Sequence, residues 1–139
     1  MSDKEAVVAL EVCEAEFERW TEAMDLSFDP KGWDDEDKKT FIDAKNRLLK
    51  AMESGALVVD VEGRLVYTPL VGKDRTPIVW NEPSGADLMA MDQKKNGHNV
   101  AKTYAVMGSM TGVQPTRFTG MKARDLKVCQ AIYALFLAS

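Results

Sequence analysis

Three short β-rich runs, placed between segments with helical periodicity, constrain the fold more than any other feature of this sequence. The first two runs, 57–60 and 64–68, flank Val61-Glu62-Gly63, whose glycine suits the turn of an antiparallel hairpin. A third run at 78–80 follows a loop that contains proline. Helix-periodic segments on both sides predict a mostly helical α+β fold. We expect two helices, then a hairpin or three-stranded antiparallel sheet, then three helices.

Two amphipathic helices are expected before the sheet. Between about residues 3 and 26, apolar side chains recur at alternating steps of four and three, which places them on one helical stripe. The stripe consists of Ala6, Leu10, Cys13, Phe17, Trp20 and Met24. Pro30 and Gly32 end this helix. The second helix is expected at 35–54, with acidic residues in its first turn and Gly55 as its C-terminal cap.

Three further helices are expected after the sheet. An S-x-x-D capping signal at 84–87 opens the first of them, which continues through Met89 and Met91. Asn99 caps the second, and Gly112 stops it. A loop at 114–115 leads to the last helix, at about 121–137.

Charge is distributed unevenly along the 139 residues, although the formal net charge is only -4. Residues 1–92 contain 11 Lys and Arg against 21 Asp and Glu, whereas residues 93–139 contain 7 basic residues and a single acid, Asp125. We interpret this asymmetry as complementary surfaces of one folded unit or of its assembly. The length suits a single domain, with an acidic helical and hairpin part at 1–76 and a second part at 77–139.

Several classes of protein are excluded by composition. No apolar run reaches the roughly 18–20 residues of a membrane span, and the first residues lack the pattern of a secretory signal. We therefore expect a cytoplasmic protein that does not enter membranes. Cys13 and Cys129 then remain reduced thiols. With a single histidine, His98, the sequence predicts neither a metal site nor another cofactor.

The sequence contains no recognisable catalytic motif. A nucleophile elbow, a Walker loop, a dinucleotide fingerprint and a zinc-protease helix are all missing. Cys129 has basic neighbours that could lower its pKa, but it lies on the apolar stripe of the last helix, which favours a buried structural thiol. We predict a protein without catalytic activity. A small enzyme that uses carboxylates or Cys129 remains an alternative.

The basic C-terminal third raises a second alternative, a regulatory protein that binds nucleic acid. Its basic residues are Lys94, Lys95, Lys102, Arg117, Lys122, Arg124 and Lys127. Few aromatic residues are interleaved with them, and the isoelectric point of the chain is about 5.1, so both observations argue against this class. An acidic protein surface fits the basic third better.

Six residues are candidate contacts with protein partners. Phe17, Trp20 and Met24 form a large apolar strip on an otherwise acidic helix. This strip can pack into the core of the chain, or it can dock a helical partner or a twin subunit, which leaves a homodimer open. The other three candidates are Trp80, at the end of the third β-run, and two methionines of the methionine-rich second half, Met107 and Met110.

Three segments of the second half resemble one known family. The first is Ile78-Val79-Trp80-Asn81-Glu82-Pro83-Ser84-Gly85-Ala86-Asp87-Leu88, a strand followed by the start of a helix. The second is 107–112, a helix end, and the third is the last helix, where Asp125-Leu126 precedes an apolar run. Over about 77–137 the chain resembles the tail assembly chaperones of contractile-tailed, Mu-like phages. Typical members begin near the strand, whereas here about 75 residues precede it.

The resemblance implies a function without catalysis. Members of this family are thought to keep the tape-measure protein soluble and to recruit tail-tube subunits while the tail assembles. Tape-measure and tail-tube proteins are therefore the partners that the resemblance implies. A flexible, polarisable side chain such as methionine would suit an adaptable groove for a helical client.

Overall fold

The computed structural model describes residues 8–71, 74–87 and 99–139. Two helices come first, α1 (Leu10–Ala23) and α2 (Asp35–Glu53). Three strands follow, β1 (Leu57–Val59), β2 (Leu65–Tyr67) and β3 (Ile78–Trp80). The chain ends with α3 (Asn99–Thr111), α4 (Pro115–Thr119) and α5 (Ala123–Ala138). These elements confirm the predicted α+β class.

Some predicted features lie outside the described residues. They are Ala6, Met89, Met91, Lys94, Lys95 and His98. The helix predicted from the capping signal at 84–87 is described only in part, because residues 85–87 are helical and the next described residue is 99. Within the described ranges, no helix is both long and apolar enough to cross a membrane.

The sheet is antiparallel, with strand order β1-β2-β3. Its register pairs Leu57 with Tyr67 and Tyr67 with Ile78, so alternate residues of the three strands share one face. That face is buried and consists of Leu57, Val59, Leu65, Tyr67, Ile78 and Trp80. The predicted hairpin is confirmed, and its turn is closed by a bond from the Asp60 N–H to the Arg64 carbonyl at 2.8 Å.

Helix α1 buries the predicted stripe against the core. Cys13, Phe17, Trp20 and Met24 are all less than a tenth exposed. Leu10, which the periodicity also placed on the stripe, is 45% exposed because it lies in the first turn of the helix. The predicted end at residue 26 was wrong, since α1 ends at Ala23 and Asp25 takes a positive φ of 55°.

Helix α2 begins and ends close to the predicted positions. The Asp34 side chain caps it by accepting a hydrogen bond of 2.8 Å from the Asp37 N–H, and Gly55 follows its last turn. Leu48, Leu49 and Met52 are buried beneath it.

The prediction of a loop at 114–115 was wrong in part, because Pro115 begins the short helix α4. Gln114 is its N-cap, and proline fits the first helical position because its missing N–H would have no partner there. Phe118 anchors α4 in the core with no exposed surface. Helix α5 packs along α2, so the core joins residues from both halves of the chain.

Candidate functional site

An apolar groove with two large hollows lies beside α2. We call it the aromatic groove and define it by Phe28, Trp33, Phe41, Ile42 and Leu137. It has two hollows, of about 380 Å³ and about 520 Å³. Both hollows are lined by Trp33 and Phe41, so these two aromatic side chains stand between them.

The connection between α1 and α2 carries the aromatic side chains to this position. The Phe28 and Phe41 ring centroids are 4.9 Å apart, and those of Trp33 and Phe41 are 5.5 Å apart. The same connection is joined to the end of α5 by a hydrogen bond of 3.1 Å from the Ser27 N–H to the Ser139 hydroxyl. The groove therefore joins α2 and the connection before it to the end of α5, which is distant from both in sequence.

The first hollow lies between the start of α2 and the end of α5. Its lining residues are Trp33, Asp37, Thr40, Phe41, Ala44, Ala134, Leu135, Leu137 and Ala138. The second hollow lies between α2 and the preceding connection. Its lining residues are Phe28, Pro30, Lys31, Trp33, Lys38, Phe41 and Ile42. One aliphatic side chain beside each hollow is largely exposed, Leu137 at 56% and Ile42 at 53%.

The two hollows differ in the charge at their rims. Asp37 lines only the first hollow, whereas Lys31 and Lys38 line only the second. None of these three side chains takes part in an ion pair with another described residue. The ion pairs of the described residues are Arg19–Glu16, Arg64–Asp60, Arg64–Glu62 and Arg117–Asp74.

The groove is suited to binding an apolar surface. It is mostly apolar, has a few polar groups at its rim, and leaves large apolar side chains partly open to water. Hollows of this kind accept apolar side chains of a partner, most simply those on one face of an amphipathic helix.

All six candidate partner contacts from the sequence are buried in the core. They are Phe17, Trp20, Met24, Trp80, Met107 and Met110, with exposed fractions between 0% and 8%. For Phe17, Trp20 and Met24, packing into the core of the chain was one of the two outcomes predicted from the sequence. A partner could reach these six side chains only if the core opened.

Sequence reasoning missed most of the groove. Phe41 lies within the helix expected at 35–54 but is not among the candidate partner contacts, and neither are Phe28, Trp33 and Ile42. One signal was available, because two aromatic residues, Phe28 and Trp33, stand in a polar connection together with Pro30 and Gly32. Aromatic side chains in such a connection require a surface to pack on.

The two cysteines are structural in this fold. Both are free and buried. Burial, with a contribution from the nearby Asp125 carboxylate, raises the pKa of Cys129 to about 12. Burial also raises the pKa of Cys13, helped by the charges of Glu53 and Glu16. A thiol with a raised pKa is a poor nucleophile at neutral pH.

Asp125, which belongs to the Asp-Leu pair noted in the sequence, joins α5 to the sheet. Its carboxylate is fully buried and accepts hydrogen bonds from the Tyr67 hydroxyl at 2.7 Å and from the N–H groups of Leu70 at 2.7 Å and Val71 at 3.1 Å. Burial and this hydrogen bond raise the pKa of Tyr67, so the phenol remains a proton donor. The cluster is a structural anchor.

Exposed basic side chains lie at the start of α5, on its N-cap residue Lys122 and on Arg124 and Lys127 within the helix. No ion pair among the described residues joins them to the acidic face of α1. The basic residue of this region that is paired is Arg117, whose guanidinium contacts the Asp74 carboxylate at 3.3 Å and donates to the Thr76 carbonyl at 2.5 Å.

Comparison with protein families gives one result for the second half of the chain. The family model described as "Phage tail assembly chaperone proteins, E, or 41 or 14" matches residues 69–138. No curated protein and no solved structure matches the chain. The match begins directly after β2, somewhat before the start that the resemblance implied, and extends over β3, α3, α4 and α5. Because these residues make up half of the 139, the chain belongs to the phage tail assembly chaperone family.

Proposed function

We propose that this protein is a chaperone or adaptor without catalytic activity that binds tail proteins through the aromatic groove while a phage tail assembles. Its clients are helical segments of tail proteins, with tape-measure and tail-tube proteins as the first candidates. It acts in the cytoplasm of the host cell. The family supports the process, and the groove supports the mode of binding.

The observation that carries this proposal is the exposure of large apolar side chains around two open hollows. Ile42 and Leu137 are each more than half exposed, and Trp33 and Phe41 are half-buried between them. Burial of a whole apolar side chain of this size contributes about 1.5–3 kcal/mol. Covering these four side chains with a client would therefore contribute several kcal/mol to binding.

A helix suits the shape of the groove. Apolar side chains on successive turns of a helix lie on one face, so they can enter neighbouring hollows. The hollows on the two sides of Trp33 and Phe41 offer two such places. Met107 and Met110 do not contribute, because both are buried beneath α3. The groove proposed for the client is aromatic and lies largely in the N-terminal part.

Co-expression with fragments of a tape-measure protein and with tail-tube subunits tests the proposal. We expect the unchanged chain to hold a client in solution and to co-purify with it. Ile42→Asp and Leu137→Asp should each lower client recovery at least tenfold, because a carboxylate in the interface would have to lose its water. Failure of every tail protein to co-purify with the unchanged chain would contradict the proposed function.

Val100→Asp is the matched control for these variants. Val100 is 63% exposed on α3, so this variant adds the same charge to an exposed aliphatic position of another helix. Client recovery should stay at the level of the unchanged chain. Equal losses for Val100→Asp and Ile42→Asp would show that added charge, and not the groove, is responsible.

A second candidate function follows from the basic residues on α5. Lys122, Arg124 and Lys127 are exposed and have no ion pair among the described residues, so they could neutralise phosphates of a nucleic acid. Binding of duplex DNA or RNA that weakens steeply with added salt would favour this function. Loss of that binding in Lys122→Glu and Lys127→Glu would locate it on α5.

A further inference from the structure

We propose that the aromatic groove binds the aromatic groove of a second copy of this chain when no client is present. The resulting dimer is symmetric, with the same surface used on both subunits. The proposal rests on the proposed function in one respect, because the dimer would cover the surface that the client uses. It goes beyond that function by naming the second occupant of the site and how client binding is regulated.

The shape of the groove is compatible with its own copy. In a symmetric dimer, a feature on one side of the two-fold axis in one subunit faces the feature that lies on the other side of the axis in its partner. If the axis passes beside Trp33 and Phe41, the first hollow of one subunit faces the second hollow of its partner. Each hollow has an exposed aliphatic side chain at its rim, Leu137 at the first and Ile42 at the second. Each subunit therefore offers both a hollow and a side chain that can fill one.

The charges at the rim select this occupant. Asp37 lines only the first hollow, and Lys31 and Lys38 line only the second. The arrangement that places unlike hollows opposite each other also places Asp37 opposite Lys31 and Lys38 of the other copy. It does so twice, once on each side of the axis. All three side chains are exposed and have no ion pair within the described part of the chain, so they are available for these contacts.

A surface with opposite charges on the two flanks of an apolar centre meets the requirement for self-association. Symmetric interfaces need a patch that is complementary to itself, in charge as well as in shape. A client requires only the apolar part, so client and second copy compete for the same side chains. The dimer then keeps exposed aromatic and aliphatic groups away from water and from unrelated proteins until a client displaces it.

Mass measurements on the full chain without a client test the inference. We expect a dimer with a Kd on the order of 10 µM, as is usual for a small interface that must open again. Asp37→Lys should raise the Kd at least tenfold, because the introduced ammonium group would then face Lys31 and Lys38 of the other copy. Lys38→Glu should also raise it, because the introduced carboxylate would face Asp37 of the other copy. A monomer for the unchanged chain at the highest soluble concentration would overturn the proposal.

An equimolar mixture of the two charge variants gives the decisive result. In a dimer of one Asp37→Lys chain and one Lys38→Glu chain, the original contacts remain on one flank. On the other flank the two introduced charges attract each other, although Lys31 still faces the introduced ammonium group. The Kd should therefore fall at least tenfold below that of either variant alone. The double variant should also form a homodimer. Restored association in the mixture would identify the symmetric arrangement, because it brings the two introduced charges opposite each other. Failure of the mixture to associate would overturn that arrangement.

Two exposed charges of α2 that line neither hollow provide the controls. Asp43→Lys and Lys50→Glu alter the same helix by the same amounts and should leave the Kd unchanged. If they weaken the dimer as much as the groove variants do, the interface lies elsewhere and the inference is wrong. Circular dichroism of all variants checks that the fold is preserved.

Failure of this inference and failure of the proposed function are distinguishable. A monomeric chain that still co-purifies with a tail protein, and loses it in Ile42→Asp, would leave the proposed function standing and overturn the dimer. A groove-dependent dimer that no tail protein displaces would support the dimer and contradict the function. Release of monomers into a one-to-one complex on addition of client supports both.

Discussion

At the scale of single residues, the buried carboxylate of Asp125 connects the last helix to the sheet. It is fully buried and accepts three hydrogen bonds, one from the Tyr67 hydroxyl and two from backbone N–H groups of the segment after β2. Its place in the first turn of α5 adds a favourable interaction with the helix dipole. Helix α5 and the segment after β2 both lie within the family match, so we infer that this carboxylate maintains the family part of the fold.

Asp125→Asn tests this anchor. The amide keeps one acceptor oxygen but turns an NH₂ group toward donors, so at least one N–H or O–H is left buried without a partner. Hydrogen bonds to charged groups contribute about 1.5–3 kcal/mol each, so we expect the free energy of unfolding to fall by about 3 kcal/mol. Urea unfolding measures the loss. Asp43→Asn, at an exposed position of α2, should change it by less than about 0.5 kcal/mol.

A second carboxylate, Asp87, makes stability depend on pH. Burial opposes its ionisation, but hydrogen bonds from the Ser109 hydroxyl and from the N–H and hydroxyl of Ser84 outweigh burial and lower its pKa. A pKa that is lower in the folded chain than in the unfolded chain stabilises the fold above the unfolded value of about 3.9. This contribution is lost as the pH falls through the folded-state pKa.

Asp87→Asn should therefore flatten the acid limb of the stability curve. The variant has a lower free energy of unfolding at pH 7, and the difference from the unchanged chain shrinks as the pH is lowered from about 5 toward about 2. Urea unfolding at several pH values measures this difference. Asp43→Asn serves again as the control, since it should follow the unchanged chain. A constant difference between Asp87→Asn and the unchanged chain over this range would contradict the assignment.

At the scale of elements, the sequence predicted those whose ends carry chemical signals. Helix α2 begins at the predicted acidic residues, Gly55 follows its end, and Gly112 ends α3, as expected. Helix α1 ends earlier than its periodicity suggests, because periodicity continues to Met24 and does not report the positive φ of Asp25. The sequence predicts a loop at 114–115, but proline also fits a first helical position, and in the structure Pro115 begins α4, with Phe118 in the core.

The hairpin turn provides a prediction at this scale. Gly63 has a φ of 83°, and a β-carbon added there would overlap that of Ala23 at the end of α1. Gly32 has almost the same φ, 82°, but a β-carbon there would meet no atom within 4 Å. Gly32→Ala should thus cost about 1 kcal/mol from backbone strain alone. Gly63→Ala should cost about 2 kcal/mol more, because two packed elements must separate.

Thermal unfolding of the two variants separates strain from packing. The backbone term is common to both, so the difference between their unfolding free energies measures the contact between the hairpin and α1. Equal losses would mean that this contact adjusts without cost. The two variants together therefore test the contact between Ala23, at the C-terminal end of α1, and Gly63 in the hairpin turn.

At the scale of the whole molecule, the aromatic groove could not be predicted from the sequence for a physical reason. Hydrophobic periodicity identifies residues that face a neighbouring element but not how completely that element covers them. Phe41 and Leu48 lie on the same face of α2, yet Leu48 is fully buried and Phe41 is not, because the end of α5 leaves a hollow beside it. The exposed fraction of Phe41 depends on where the end of α5 and the connection before α2 lie around it, which the periodicity of α2 does not report.

The charge asymmetry of the sequence is not matched by ion pairs between its two regions among the described residues. It predicted complementary surfaces within one unit or its assembly. The acidic face of α1 and the basic residues of α5 are not joined by ion pairs among the described residues. Opposite charges do line the two hollows of the groove, Asp37 at the first and Lys31 and Lys38 at the second, all within the acidic part of the chain. Complementary surfaces between copies or with a partner therefore stay a prediction.

The division of the chain at residue 69 leads to the last prediction. The family match begins there, but the cores of the two parts are not separate. Ile132 and Leu135 of α5 are fully buried, and α5 packs along α2, which precedes the match. A fragment of residues 69–139 would expose this face of α5 to water, and burial of each such side chain contributes about 1.5–3 kcal/mol.

We therefore expect neither residues 1–68 nor residues 69–139 to fold alone. Each fragment should lack a cooperative unfolding transition by circular dichroism, and co-expression of the two should recover a soluble complex that unfolds cooperatively. The unchanged chain, measured under the same conditions, is the control. A cooperative transition for the isolated fragment 69–139 would contradict the prediction. It would mean that the family part is an independent domain and that α1, α2 and the groove between α2 and α5 were added to a fold already complete without them.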